Sequence, residues 1–288
     1  MIEIVCWNIR WGQGHDGTVD LDRIVDTAMA MGDADILCFQ EMARNFPELD
    51  GLGADQPRLL GALLPQYEPI FGCGTNTAGE CIGKRRQFGN VVLTRLPALQ
   101  AFSHLLPRPA TDETPHMQRQ ALEVIVATEL GPLRVINTHL EYYSAEHRAA
   151  QIEHLRRLHQ QAGAYPAQTT SLQGAVADPY VPAVGPCPTV LCGDFNMEKS
   201  EPSYARLLEP FDNGPQALVD AWTVVHPGKD HPITCGVYER VHWSGTHCRD
   251  FIFITADLAK RARAMDVDTE TAASDHQPLR LVLNDATA

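Results

Sequence analysis

The chain has 288 residues, 44% of them hydrophobic and 20% charged, with 21 glycines and 20 prolines. A chain of this length buries about three-quarters of the surface that its unfolded form exposes, so it needs neither disulfides nor a structural metal, and its apolar content excludes low-complexity disorder. The 36 acidic against 23 basic residues leave a formal charge of −13, which disfavours a high-affinity polyanion binder but not phosphate chemistry, because divalent cations invert the local field of a carboxylate pocket.

Taken in chain order, Ile2 to Ile9 is dominated by branched and aromatic residues and predicts an opening strand. Leu21, Ile24, Val25, Ala28 and Met29 recur at helical spacing, so Asp20 to Met31 predicts an amphipathic helix that Gly32 stops. Ile36 to Gln40 is a short strand ending at Glu41. A helix follows from Gln56 to Leu64, stopped by Pro65, and Tyr67 to Phe71 is a third strand. Four strand-like segments then succeed one another: Phe88 to Thr94, Leu99 to Leu106, Gln118 to Thr128 and Leu133 to Leu140. Ser144 to Gln161 is the clearest helix, with Ile152, Leu155 and Leu158 on one face.

Residues 162–187, rich in Pro, Gly, Ala and Thr, read as a surface excursion, after which Thr189 to Cys192 resumes the strand texture. Short turns and small elements cover residues 197–247. Cys248 to Ile254, Arg263 to Val267 and Leu279 to Leu283 supply the last strands. Strands following strands do not suit a simple doubly wound fold, which needs a helix at nearly every crossover. The expected architecture is therefore a single domain over residues 1–288, with two mixed sheets packed face to face and helices outside, a four-layer α/β/β/α sandwich.

Cys6, Cys38, Cys192 and Cys248 lie in or beside apolar runs and read as buried thiols, while a Cys73–Cys81 disulfide stays open. The opening residues lack the basic start and apolar core of a signal peptide, and no apolar run reaches the roughly 18 residues of a membrane span. The cytoplasm is the expected compartment, without stable membrane association.

Chemistry concentrates in short signatures, most of them at strand ends: Trp7-Asn8-Ile9, Phe39-Gln40-Glu41, Asn137-Thr138-His139-Leu140, Gly193-Asp194-Phe195-Asn196, Arg249-Asp250-Phe251 and Ser274-Asp275-His276-Gln277-Pro278. Polar residues there can reach a shared mouth while the strand bodies bury apolar side chains. Asn8, Glu41 and Asp275 offer the hard oxygen donors that suit Mg²⁺ or Mn²⁺. Asp194 and Asn196 share one side of an extended segment, so one can handle water while the other donates to a phosphoryl oxygen. Asp250 is placed to orient His276, and His139 to donate to a non-bridging oxygen.

In this order, WNIR, FQE, NTHL, GDFN, RDFIF and SDHQP resemble the signatures of the endonuclease/exonuclease/phosphatase (DNase I-like) superfamily, over residues 5–283. The resemblance implies the four-layer sandwich and a phosphoester hydrolase that uses a divalent cation. It implies Asn8, Glu41 and Asp275 at the metal, His139 on the phosphate, Asp194 and Asn196 on water and phosphate, and Asp250 orienting the essential His276. Water would attack phosphorus, with either Asp194 or His276 as base. No G-x-S-x-G elbow calls for a serine nucleophile. A catalytically inactive binding scaffold would have lost Glu41, Asp194 or His276, and all three are present.

For the substrate, Arg10, Arg119 and the run Lys84-Arg85-Arg86 are the candidate anion contacts, and Trp11, Phe46 and Trp243 candidate apolar walls. With no basic and aromatic track for a single strand, a small phosphodiester or phosphomonoester is favoured, and a DNA endonuclease or exonuclease is the alternative. Oligomeric state is open.

Overall fold

The computed structural model describes residues 1–110, 115, 117–129, 131–165, 184–212, 214–238 and 244–284. Among these the elements run β1 (Ile2–Asn8), α1 (Leu21–Ala30), β2 (Ile36–Arg44), α2 (Pro47–Asp50), α3 (Gln56–Leu63), β3 (Glu68–Ala78), β4 (Arg85–Thr94), β5 (Ala98–Leu105), β6 (Gln120–Thr128) and β7 (Gly131–His139). They continue with α4 (Ala145–Ala164), β8 (Thr189–Asp194), α5 (Pro202–Leu208), β9 (Leu218–Asp220), α6 (Ala221–Val225), β10 (Asp250–Thr255), β11 (Ala262–Val267) and β12 (Leu279–Leu283).

Two six-stranded sheets result, in the orders β11-β12-β1-β2-β4-β3 and β5-β6-β7-β8-β10-β9. Each holds one parallel pair near its middle, β1 with β2 and β7 with β8, and its other neighbours run antiparallel. A parallel pair needs a crossover connection, and a helix lies in each one, α1 in the first sheet and α4 in the second. Both helices start on side-chain caps: the carboxylate of Asp20 accepts from the Arg23 amide at 3.0 Å, and the Ser144 hydroxyl from the His147 amide at 3.2 Å.

Strand periodicity sorts the side chains into layers. Ile2, Ile4 and Cys6 of β1, Ile36 and Cys38 of β2, Leu133 and Val135 of β7, Val190 and Cys192 of β8 and Ile252 and Ile254 of β10 meet in the core between the sheets. The alternate residues Val5, Trp7, Leu37, Phe39, Val91 and Leu93 pack outward against Ile24 and Ala28 of α1 and Leu60 of α3. On the far side, Ile136, Leu191, Phe251 and Phe253 pack against Ile152 and Leu155 of α4 and Tyr204 and Leu207 of α5. This is the expected sandwich of two packed mixed sheets with helices around them.

Several boundaries differ from the sequence reading. Strand β2 does not stop at Gln40 but runs to Arg44 through an irregularity between Phe39 and Met42, where Glu41 has φ of 63°. A bulge breaks the two-residue alternation on which the reading relied. Strand β3 extends past Phe71 to Ala78, pairing with Arg85–Phe88 in a hairpin that leaves the apolar core, so no hydrophobic pattern marks it. All eight cysteines are free, Cys73 and Cys81 included. Of the expected excursion at residues 162–187, residues 166–183 lie outside the described residues, while residues 162–164 finish α4. Among the described residues no helix is long and apolar enough to cross a membrane.

Gly193 shows how tightly the central strands approach. Its φ is 149°, and a β-carbon there would sit 1.8 Å from the Thr138 carbonyl oxygen of β7. Backbone cannot yield to that clash without parting the β7–β8 pair. Gly193→Ala is expected to destabilise the fold by about 2–4 kcal/mol, read as a lower urea midpoint at unchanged slope. A loss below about 1 kcal/mol would show that the strands can separate cheaply.

Candidate active site

The inward-facing rows that build the inter-sheet core turn polar at one end. Along β1 the row reads Ile2, Ile4, Cys6, Asn8; along β8 it reads Val190, Cys192, Asp194; along β7 it reads Val135, Asn137, His139. Strand pairing aligns these ends, since His139 stands opposite Asp194 and Asp194 opposite Asp250 on three adjacent strands. Paired residues project on the same face of a sheet, so the three side chains come together without further contrivance. The carboxyl ends of both parallel pairs open onto the same mouth, a common location for ligand sites in α/β folds.

Asp194 is at the centre. Its Oδ2 accepts from Asn8 Nδ2 at 3.0 Å and lies 3.3 Å from His139 Nε2 and 3.6 Å from His276 Nε2. Its Oδ1 accepts from the Asn196 amide at 2.9 Å, a contact that holds Asn196 at φ of 50°. The Asn196 side chain in turn donates to His139 Nε2 at 3.0 Å and to the Leu140 carbonyl at 3.1 Å. Asp250 and His276 form a buried pair, with Asp250 Oδ2 2.9 Å from His276 Nδ1. Thr234 Oγ1 accepts from the Asp250 amide at 3.2 Å, and Trp7 Nε1 donates to the His276 carbonyl at 2.8 Å, which fixes both ends of the pair.

Glu41 reaches this group through the bulge in β2. Asn8 Nδ2 donates to its Oε1 at 3.1 Å, and His139 Nδ1 lies 3.9 Å from the same oxygen. Asn8 therefore meets two carboxylates as a donor, and its own Oδ1 accepts from the Arg10 amide at 3.1 Å rather than facing the cleft as a free oxygen. Asp275 lies nearby, with Arg10 Nη1 3.8 Å from its Oδ2. Ser274 Oγ ties this loop to β1 by donating to the Asn8 carbonyl at 2.8 Å.

The electrostatics divide the cluster. Burial, reinforced by the charge of Asp275, pushes the Glu41 carboxyl up to about 7. Asn8, His276 and Arg119 offset that shift only in part, and two hard oxygen donors that repel each other are what a divalent cation would neutralise, so the donor set fits such an ion. Burial also drives His139 well below the ordinary histidine value, aided by Arg119 and His276, so its imidazole is neutral. For His276 burial acts in the same direction, but Asp250 and Asp194 overcome it and hold the ring well above that value. Asp194, Asp250 and His276 also present ligand atoms within 4.8 Å of one another, a second grouping able to hold an ion among the described residues.

A cleft of about 400 Å³ covers the cluster, lined by Glu41, Arg119, His139, Asp194, Asn196, Asp275 and His276 and walled by Met117, Glu141, Tyr142 and Tyr143. The structure does not bring the basic run into that lining. Arg85 is bonded to Asn76 at 2.9 Å, Arg86 to Glu48 at 2.7 Å, and Lys84 is exposed at the hairpin turn, because the extended β3–β4 hairpin carries all three away from the core. Trp11 and Phe46 both pack on Phe88 instead, and Trp243 lies outside the described residues. Glu141, Tyr142 and Tyr143 were not singled out in the sequence, although they directly follow His139 and Leu140.

Comparison with known proteins agrees with the fold of two packed mixed sheets. The chain is similar to an endonuclease/exonuclease/phosphatase from Beutenbergia cavernae DSM 12333, at 23% identity and a TM-score of 0.70, over 98% of this chain and 72% of that one. It is similar to an endonuclease/exonuclease/phosphatase from Bacteroides vulgatus at 18% identity and a TM-score of 0.68, over 98% of both chains. The human Nocturnin catalytic domain, solved with a bound sulfate anion, matches at 21% identity and a TM-score of 0.64, over 98% of this chain and 94% of that one. No curated protein matches the sequence significantly. The model of the Endonuclease/Exonuclease/phosphatase family matches residues 5–276, and with that extent the chain belongs to this family.

Proposed function

We propose that the protein is a divalent-cation-dependent phosphoester hydrolase in which water attacks phosphorus, acting on a small phosphodiester or phosphomonoester. The observation that carries this reading is the position of Asp194, one carboxylate within 3.6 Å of both His139 and His276 at the floor of a cleft. Glu41 and Asp275 would hold Mg²⁺ or Mn²⁺, with Asn8 steadying Glu41. When bound, the cation supplies charge to offset a phosphoryl oxygen and the leaving group.

The protein's own residues divide the remaining work. His276, kept cationic by Asp250 and Asp194, serves as a proton donor and charge stabiliser, which leaves Asp194 to orient water and take its proton. His139 and Asn196, bonded to each other at 3.0 Å, would turn to the equatorial oxygens when a phosphate enters. Arg119, 7% exposed and facing the cleft, adds fixed positive charge. A cleft of about 400 Å³ and a chain charge of −13 favour a compact substrate over a long polyanion.

The test is a panel with Mg²⁺ or Mn²⁺: p-nitrophenyl phosphate, bis-p-nitrophenyl phosphate, nucleotides, sugar and inositol phosphates, and duplex and abasic-site DNA. Release of phosphate or nitrophenol from small members is expected. Cleavage confined to DNA would replace this reading by the nuclease alternative, and inertness on every member would overturn hydrolysis.

A further inference from the structure

The cleft has a polar wall of which the hydrolytic reading uses only the charge of Arg119. Glu141, 1% exposed, lines it two residues past His139, and Arg119 lies beside it with its Nε 3.7 Å from Glu141 Oε2. That separation permits charge attraction but is too long for a hydrogen bond. Among the described residues, Nε and Nη1 of Arg119 and Oε2 of Glu141 have no hydrogen-bond partner. Buried donors and acceptors in native proteins are satisfied by protein, water or ligand, and those that line a cleft are within reach of a group that enters it.

Glu141 is not free to swing away. Its Oε1 accepts from the Tyr143 amide at 3.0 Å, its own amide donates to Gln151 Oε1 at 2.9 Å, and its carbonyl accepts from Arg148 Nη1 at 3.2 Å. Helix α4 thus fixes the backbone of Glu141 and the Tyr143 amide fixes its carboxylate, and a fixed group discriminates better than a mobile one. The entering group must offer a lone pair to Arg119 and a proton to Glu141. A hydroxyl does both; a second phosphate satisfies Arg119 but meets Glu141 as a like charge. Tyr143, 60% exposed and set edge-on to Tyr142 with ring centroids 4.9 Å apart, extends this wall outward as an apolar face for a ring or carbon chain.

We propose that Glu141 is a specificity-determining residue that selects phosphate esters carrying a free hydroxyl on the carbon beside the ester, and that it rejects a second phosphate at that place. This rests on the hydrolase reading above. Polyol or sugar phosphates and ribonucleotides share that chemistry.

The experiment uses matched pairs with Mg²⁺: glycerol 3-phosphate against 1,3-propanediol phosphate, and adenosine 3′-phosphate against 2′-deoxyadenosine 3′-phosphate, with adenosine 2′,3′-bisphosphate as the doubly charged member. Turnover is measured on the unaltered enzyme and on Glu141→Gln, and affinity by calorimetry on Asp194→Asn with and without Glu141→Gln. The unaltered enzyme is expected to favour the hydroxylated member of at least one pair by about 10–100-fold in kcat/KM, as for a hydrogen bond to a charged group. Glu141→Gln should reduce that ratio to below about fivefold and improve the bisphosphate. A preference in only one pair supports the proposal and assigns the source. Equal treatment of both members in turnover and affinity, or a ratio unmoved by Glu141→Gln, overturns it. If every member of the panel above, bis-p-nitrophenyl phosphate included, and all pairs resist hydrolysis, the hydrolase reading fails, and the calorimetric ratios still decide the role of Glu141.

Discussion

Asp194→Asn is expected to lower kcat by about 10³–10⁴-fold on whichever phosphoester the enzyme cleaves, with cation saturating and the melting temperature little changed. The substitution keeps the size of the side chain, and an amide can still accept from Asn8 or the Asn196 backbone. It loses the negative charge that lies 3.6 Å from His276 Nε2 and 3.3 Å from His139 Nε2, and with it the ability to take a proton from water. If the loss lies in chemistry, KM should move far less than kcat. A variant retaining more than about a tenth of the activity would remove Asp194 from the reaction.

Glu41→Gln should act on a different quantity. Removing one of two carboxylates is expected to raise the Mg²⁺ concentration for half-maximal activity by at least about 100-fold, more than is typical for loss of an outer partner of a metal site. A chelator should silence the unaltered enzyme, and Mg²⁺ or Mn²⁺ should restore it. The electrostatics give a second readout. Because burial and Asp275 raise the Glu41 carboxyl to about 7 in the folded state, the cation-free protein holds a proton there that the unfolded chain releases near pH 4. Its stability should therefore fall as pH rises from about 4 to 7. In the absence of cation Glu41→Gln should melt higher than the unaltered protein at pH 7, and added Mg²⁺ should raise the melting temperature of the unaltered protein only. Equal Mg²⁺-induced shifts in the two proteins would place the ion elsewhere, with the Asp194, Asp250 and His276 grouping as the next candidate.

Much of this geometry is legible in the sequence because strand ends coincide with the change from apolar to polar residues. Ile4-Cys6-Asn8 and Val190-Cys192-Asp194 show the row and its terminus directly. Glu41 is harder to place, since its entry into the cleft depends on a bulge and a positive φ that hydrophobic alternation does not encode. The run Lys84-Arg85-Arg86 suggests an anion contact by charge alone, but its destination depends on how far the β3–β4 hairpin extends beyond the core, where Gly and polar residues carry no periodic signal. Glu141 escapes notice for the opposite reason: an acid just after a strand resembles any solvated turn residue until Arg148 and Gln151 of α4 are seen to fasten its backbone and the Tyr143 amide its carboxylate.

Directly beneath the cleft, Gln40 Nε2 of the first sheet donates to Asn137 Oδ1 of the second at 2.7 Å, and Asn137 Nδ2 donates back to the Phe39 and Val91 carbonyls at 3.0 and 2.9 Å. Apolar surfaces slide over one another with little directional preference, whereas this amide bridge admits one alignment of the two slabs. Asn8 and Glu41 ride on one slab, and His139, Asp194 and Asp250 on the other. The bridge therefore acts as a dowel between two halves of a machine tool: the fold could tolerate a small slip at that joint, but the reaction geometry could not.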